Sequence, residues 1–194
     1  MVEKRTDRIQ IQEFASRGVD IFDSIEQNIQ VLVEKAANVN YQGPNARAFK
    51  TACVNHAIDF AEQTTKTMGQ MNDAIQTNTT FIATALGGQP ISLDPPQVAI
   101  QPPAINIDES IEQADDVALH QLRDDTESIF ATVTSLFDEN LTNFNKLGVD
   151  GWYGPEYDNT RDALTRLTGT AVDGCNQSRT AMVKDVQTQI DILF

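Results

Sequence analysis

One short pattern, an aromatic residue followed by any residue, Gly and Pro, occurs twice in this chain and constrains its fold more than any other feature. It stands at residues 41–44 as Tyr-Gln-Gly-Pro and at residues 152–155 as Trp-Tyr-Gly-Pro. Gly takes a positive φ at little steric cost, and Pro fits the first turn of a helix, where its missing N–H would have had no partner. Each copy is flanked on both sides by about 35 to 40 residues of helix-forming pattern. Each copy is therefore predicted to be the tip of a long helical hairpin.

Apolar residues spaced three and four apart predict four helices. The predicted helices span residues 6–38, 45–86, 108–147 and 156–192, with Thr6 or Asp7 capping the first and Asp108 or Ser110 the third. Each hairpin leaves an apolar stripe that its own two helices cannot cover. The predicted fold is therefore all-α, with two long helix-turn-helix hairpins packed as an elongated four-helix bundle.

The segment between the hairpins, residues 87–107, contains five prolines and is predicted to be an extended linker. In the polyproline II conformation, at ~3.1 Å per residue, it reaches roughly 60 Å, which is also the length of a forty-residue helix. It can therefore join two antiparallel hairpins within one chain. Its apolar residues, among them Leu93 and Val98, suggest that it lies against the bundle. The predicted organisation is a first hairpin at 1–86, the linker at 87–107 and a second hairpin at 108–194, both hairpins in one bundle.

The chain of 194 residues carries a net charge of −14, which disfavours binding to nucleic acid or to an anionic membrane surface. The sequence has no run of eighteen apolar residues, so no membrane span is expected. The first residues lead into an amphipathic pattern and not into an apolar segment, so no conventional signal peptide is expected. The charge favours solubility, or a partner protein with a basic surface.

The two cysteines, Cys53 and Cys175, are not expected to form a disulfide. At ~1.5 Å per residue they lie roughly 14 and 30 Å from their own tips, whereas a disulfide needs Cα atoms within about 7 Å. Cys53 stands one helical turn from His56, which is the spacing of a nucleophile and its base. Packing of Cys53 in the core is the simpler interpretation, and no enzyme site is predicted.

One candidate for metal binding is formed by Asp116, His120 and Asp124, which share a helical face. A solvated acidic face explains the same pattern, so neither a metal nor any other cofactor is predicted.

Trp152 is the only tryptophan and stands at a predicted tip. Either it anchors the turn by packing on the neighbouring helix ends, or it is an exposed anchor for a partner. The residues predicted to form the two tips and to contact partners are Tyr41, Gly43, Pro44, Trp152, Tyr153, Gly154 and Pro155.

The tip motif resembles that of the WXG family of small type VII (ESX) secretion substrates. Residues 152–154 match the Trp-x-Gly motif, and residues 41–43 match it with Tyr in place of Trp. Aligning the two tips also pairs Gly43 with Gly154, Pro44 with Pro155, Lys50 with Arg161 and Ala52 with Ala163. The family is helical and leaderless and usually pairs as dimers of antiparallel hairpins. This chain resembles such a dimer joined covalently, which implies a monomeric pseudo-dimer.

The resemblance implies a non-enzymatic substrate or adapter of a type VII secretion system. Its implied partners are proteins, either the secretion machinery or a related helical substrate. The family's export signal includes Tyr-x-x-x-Asp/Glu, but Tyr157 is followed at that spacing by Arg161. The implied localisation is therefore secretion by a leaderless route, or the cytoplasm where the export signal is absent. The alternatives are a structural or surface-binding four-helix bundle that is not exported, and a bundle that binds a metal or small molecule.

Overall fold

The computed structural model describes residues 5–95 and 100–194. Four long helices pack against one another: α1 (Arg8–Asn38), α2 (Pro44–Leu86), α3 (Asp116–Asp150) and α4 (Pro155–Leu193). The prediction of an all-α four-helix bundle is therefore confirmed. Within the described residues, no helix combines the length and the apolar character needed to cross a membrane.

Four strands of two residues each form two small antiparallel sheets. The strands are β1 (Arg5–Thr6), β2 (Tyr41–Gln42), β3 (Gln113–Ala114) and β4 (Trp152–Tyr153). In one sheet β1 pairs with β4, placing Thr6 opposite Trp152, and in the other β2 pairs with β3, placing Tyr41 opposite Ala114. Each hairpin tip is thus paired with the segment that precedes the first helix of the other hairpin.

The chain divides into two compact units, and each unit contains parts of all four helices. The described residues of unit 1 come from Met1–Ile25, Thr64–Gln97 and Thr134–Val172. Those of unit 2 come from Glu26–Gln63, Val98–Val133 and Asp173–Phe194. The core of unit 1 is centred on Phe14, Phe144 and Trp152, and that of unit 2 includes Phe60 and Phe130 with ring centroids 4.7 Å apart.

The predicted apolar stripes are buried along most of their length. The apolar residues of these stripes that are buried in the core include, on α1, Ile11, Phe14, Ile21, Phe22, Ile25, Ile29, Leu32 and Val33, and, on α4, Leu164, Leu167, Cys175, Met182, Val186 and Ile190. Polar residues of the other two helices are also buried, among them Thr64 and Thr67 on α2 and Asn140 on α3. The helical periodicity of the sequence therefore identifies the buried faces of α1 and α4, whereas on α3 Phe130 and Phe137 are also buried and Ile111, before the helix, is exposed.

The predicted start of the third helix is wrong, because α3 begins at Asp116 and not at residue 108. Asp108 accepts a hydrogen bond from the backbone N–H of Ser110 at 2.9 Å, which forms a local turn and not a helix cap. Asp115 is the cap, since its carboxylate accepts a bond from the N–H of Ala118 at 3.1 Å. The residues before it are extended because Gln113 and Ala114 pair with the strand of the first tip.

The first part of the linker lies against unit 1, as its apolar residues predict. Leu93 is fully buried, and its N–H donates to Oδ1 of Asn72 at 2.8 Å. The N–H of Ile91 donates to Oγ1 of Thr79 at 3.2 Å. Gly18 of α1 leaves the space that Leu93 occupies, because a Cβ at position 18 would lie 2.6 Å from Cδ2 of Leu93. Val98 belongs to residues 96–99, which, like residues 1–4, lie outside the described part of the chain.

Candidate functional site: the two hairpin tips

The second tip, residues 152–155, is built around a tryptophan that has no exposed surface. The Trp152 ring contacts Phe144 at 5.8 Å and Tyr157 at 6.0 Å between centroids, both in edge-on geometry. Phe144 also stacks on Tyr157 at 5.2 Å and meets Phe14 edge-on at 5.4 Å. Trp152 therefore anchors the turn by packing, as the first interpretation of this residue predicts, and is not an exposed anchor for a partner.

The backbone of the second tip has the conformation that its Gly and Pro predict. Gly154 has φ of 119°, and Pro155 is the first residue of α4. Tyr153 is half-buried, and its hydroxyl donates to the carbonyl of Val149. The N–H of Asp7 donates to the carbonyl of Gly151, which joins the tip to the start of α1.

The first tip, residues 41–44, has the same construction with a smaller ring. Tyr41 is buried, its ring centroid lies 5.8 Å from that of Phe49, and burial raises its pKa. The amide of Gln189 donates to the Tyr41 hydroxyl oxygen at 3.3 Å. Gly43 has φ of 107°, and Pro44 is the first residue of α2.

Each tip is joined by an aspartate to the start of the first helix of the other hairpin, and of these two aspartates the sequence predicts only Asp7 as a cap. Asp7 accepts bonds from the N–H groups of Ile9 and Gln10 at 3.0 and 3.2 Å, and so caps α1. Asp115 caps α3, and its own N–H donates to the carbonyl of Asn40 at 3.2 Å. Asp7 in unit 1 and Asp115 in unit 2 play equivalent parts, so the chain contains the same tip assembly twice. The position of Asp115 directly before α3 is the sequence signal that could have identified it as a cap.

Lys50 and Arg161, which the tip alignment pairs, have different surroundings. Lys50 is 2% exposed. Burial lowers its pKa. Arg161 is about half exposed, pairs with Asp158 and Asp162 at 3.2 Å each, and lies 5.8 Å over the Tyr157 ring. The internal likeness of the hairpins therefore extends to the backbone of the tips and not to this charged position.

An open groove of about 370 Å³ lies beside the first tip. It is lined by Tyr41, Gly43, Pro44, Glu112, Gln113 and Leu193. Pro44 is exposed, so a partner can reach this part of the tip, whereas the buried Tyr41 ring supports it from below. The groove suits contact with a protein segment through backbone groups and small apolar surfaces.

The candidate nucleophile is not activated in this structure. Burial and the negative charge of Asp185 raise the pKa of Cys53 to about 12, so its thiol is protonated at neutral pH. His56 instead lies with Nε2 2.9 Å from Oδ2 of Asp185. Cys53 and Cys175 are both buried and are not joined by a disulfide.

The acidic face around His120 does not form a cluster. Asp116 lies 3.3 Å from His120, but Asp124 pairs with Arg123 at 2.9 Å. Across residues 5–95 and 100–194, no three His, Cys, Asp or Glu side chains come together as a set of metal ligands.

These observations define the class as an all-α four-helix bundle made of two helical hairpins with equivalent tips. No protein-family model, curated protein sequence or solved structure shows significant similarity to this chain.

Proposed function

We propose that this chain is a WXG-like helical protein that serves as a substrate or adapter of a type VII (ESX) secretion system through protein–protein contacts. The observation that carries the proposal is the repeated tip, with a buried aromatic ring, a glycine at positive φ and a helix that begins at Pro. A single chain thereby presents the two tips that a pair of separate hairpins would present.

The tips offer partners a surface defined mainly by the backbone. Trp152 and Tyr41 are buried and hold each turn in place, while Pro44 and Tyr153 reach the surface. The groove beside the first tip is large enough to accept a segment of a partner. The net charge of −14 favours a partner with a basic surface, and salt should weaken that attraction.

A substrate and an adapter differ in the final location of the protein. A substrate leaves the cell by a leaderless route, whereas an adapter remains in the cytoplasm and contacts a related helical substrate or the machinery. Arg161, at the position where the family's motif has Asp or Glu after Tyr157, favours the adapter.

Fractionation of the native host tests export directly. The protein is followed by blotting in lysate and culture supernatant, in the parent strain and in a strain that lacks its type VII system. A substrate is expected in the supernatant of the parent strain only. An adapter is expected in both lysates, and there it should be recovered by crosslinking in complex with a type VII substrate or component.

Variants of the second tip test whether export or complex formation depends on the tip surface. Tyr153→Ser changes the surface of the second tip and is expected to reduce export or complex formation, with circular dichroism to confirm folding. Val117→Ser is the control, because Val117 is 75% exposed on α3 and belongs to neither tip. Protein that stays in the lysate without any type VII partner would leave the alternative, a structural bundle that is not exported.

A further inference from the structure

The C-terminal part of α2 is unusual in this acidic chain because it carries no charge. From residue 74 to residue 93 the sequence contains no Asp, Glu, Lys or Arg, although 22% of the whole chain is charged. A solvated helix face normally carries charged residues at many of its exposed positions. The absence of charge over several exposed turns therefore needs an explanation other than solubility.

An exposed surface on α2, here called the neutral face, consists of Gln76, Thr77, Thr80, Phe81, Thr84 and Ala85. All six residues are exposed, and 64% of Phe81 is accessible to solvent. Thr77, Phe81 and Thr84 follow one another at spacings of four and three, so they form a stripe along the helix. An exposed aromatic residue within an uncharged stripe is typical of an interaction surface.

The neutral face is one wall of an open groove of about 650 Å³ in unit 1. The six residues of the neutral face line it from α2, and Glu156 lines it from α4. Thr and Ala side chains are short, so a second helix can approach α2 closely beside Phe81. The groove therefore has the form of a site for a helix.

The charges around this groove are acidic. Glu156 is the charged residue among those that line the groove, and Asp73, which is exposed, stands one helical turn before Thr77 on α2. No Lys or Arg is among the residues that line the groove. A second copy of this chain would bring its own carboxylates against these, whereas a cationic partner would be attracted.

We propose that the neutral face binds an amphipathic helix of a partner protein that has a narrow apolar stripe flanked by Lys or Arg. The apolar stripe packs against Phe81 and the threonines, and the basic residues meet Asp73 and Glu156. This surface is separate from the two tips, and the inference does not depend on export.

A synthetic peptide provides the probe. A fluorescein-labelled amphipathic peptide of about 18 residues, or five helical turns, carries Leu at spacings of three and four and Lys elsewhere. Its twin carries Glu in place of Lys. Fluorescence anisotropy with the purified full-length chain is expected to show binding of the Lys peptide only, and binding should weaken at high salt.

Two matched variants locate the binding. Phe81→Ser is expected to weaken the affinity for the Lys peptide about tenfold or more, as loss of an aromatic anchor does. Val149→Ser is the control, since Val149 is 68% exposed in the same unit but does not line the groove. It is expected to leave the affinity unchanged.

Several results would overturn the proposal. These are equal effects of the two variants, equal binding of the Glu twin, and no binding of either peptide. A dimer seen by light scattering that Phe81→Ser dissociates would also overturn it, because it would assign the neutral face to a second copy of the chain.

Discussion

At the scale of single residues, Trp152 shows how a tip motif stabilises the fold. Its ring is fully buried among Phe144 and Tyr157, so Trp152→Ala removes a large apolar contact and leaves a cavity. We expect the free energy of unfolding to fall by about 3–5 kcal/mol, measured by urea denaturation with circular dichroism. Phe81→Ala is the control and should change it by about 0.5 kcal/mol or less, because Phe81 is mostly exposed. A loss at Trp152 as small as that of the control would contradict this packing role.

Lys50 is the residue whose protonation should oppose folding. Burial lowers its pKa in the folded chain, so the unfolded chain binds the proton more tightly. The contribution of Lys50 to stability is therefore unfavourable at neutral pH and becomes less so as pH rises. This unfavourable contribution is lost over the pH range between the lowered pKa of Lys50 in the folded chain and the ordinary value of 10.5. We expect Lys50→Met to be more stable than the wild type at pH 7, and the difference to shrink towards pH 10.

A control variant separates the contribution of Lys50 to the pH dependence of stability from the contributions of other groups that titrate at high pH. Lys66→Met is the control, because Lys66 is exposed on the same helix. Its difference from the wild type should be small, because the Lys66 side chain is exposed. Urea midpoints at several pH values measure both, and a pH-independent gain in Lys50→Met would argue against a proton-linked cost.

The sequence predicts the backbone conformation of the glycines and prolines in the tips well, since that conformation depends on local backbone preferences. Gly43 and Gly154 both have positive φ, and Pro44 and Pro155 both start helices, as expected. The burial of Lys50 was not predicted. Burial depends on what the rest of the chain places over a residue, and neighbours in sequence do not supply that information.

At the scale of elements, the contact between α1 and the linker can be tested at Gly18. Ala normally stabilises a helix interior over Gly by about 0.5–1 kcal/mol. At position 18 the added Cβ would meet Leu93, which is buried, so Gly18→Ala is expected to give no gain or a loss. In a Leu93→Ala background the same substitution should become stabilising. Thermal and urea unfolding of the four proteins in this double-mutant cycle measure the coupling.

Gly169→Ala is the matched control for this cycle. Gly169 lies within α4, and no atom would come within 4 Å of an added Cβ. We expect the full gain of about 0.5–1 kcal/mol there. Equal gains in stability at positions 18 and 169 would show that the packing of Leu93 does not require a glycine at position 18.

The helices differ in how well the sequence predicts their ends. The boundaries of α1, α2 and α4 lie within a few residues of the prediction, because caps, Pro and Gly mark them locally. The start of α3 was wrong, although acidic residues from Asp108 onward look like the first turn of a helix. There the pairing of β3 with β2 holds the chain extended, and a contact between distant residues leaves no local signal.

At the scale of the whole molecule, the chain is predicted to be a monomer that contains both hairpins. Light scattering should therefore give a mass near 21.4 kDa, with no rise as protein concentration increases. The melting temperature should likewise be independent of concentration, since unfolding does not release a subunit. A mass near twice that value would mean that hairpins pair between chains.

The linker fixes the ratio in which the two hairpins are present. Two separate hairpins associate only as strongly as their concentration allows, and they dissociate when they are diluted. A linker anchored through Leu93 and Ile91 keeps the two halves at an effective concentration on the order of millimolar, whatever the concentration of the protein. A chain cut at Gln101 should accordingly acquire a melting temperature that falls on dilution. The intact chain would keep its two halves in a fixed one-to-one ratio even at very low protein concentration.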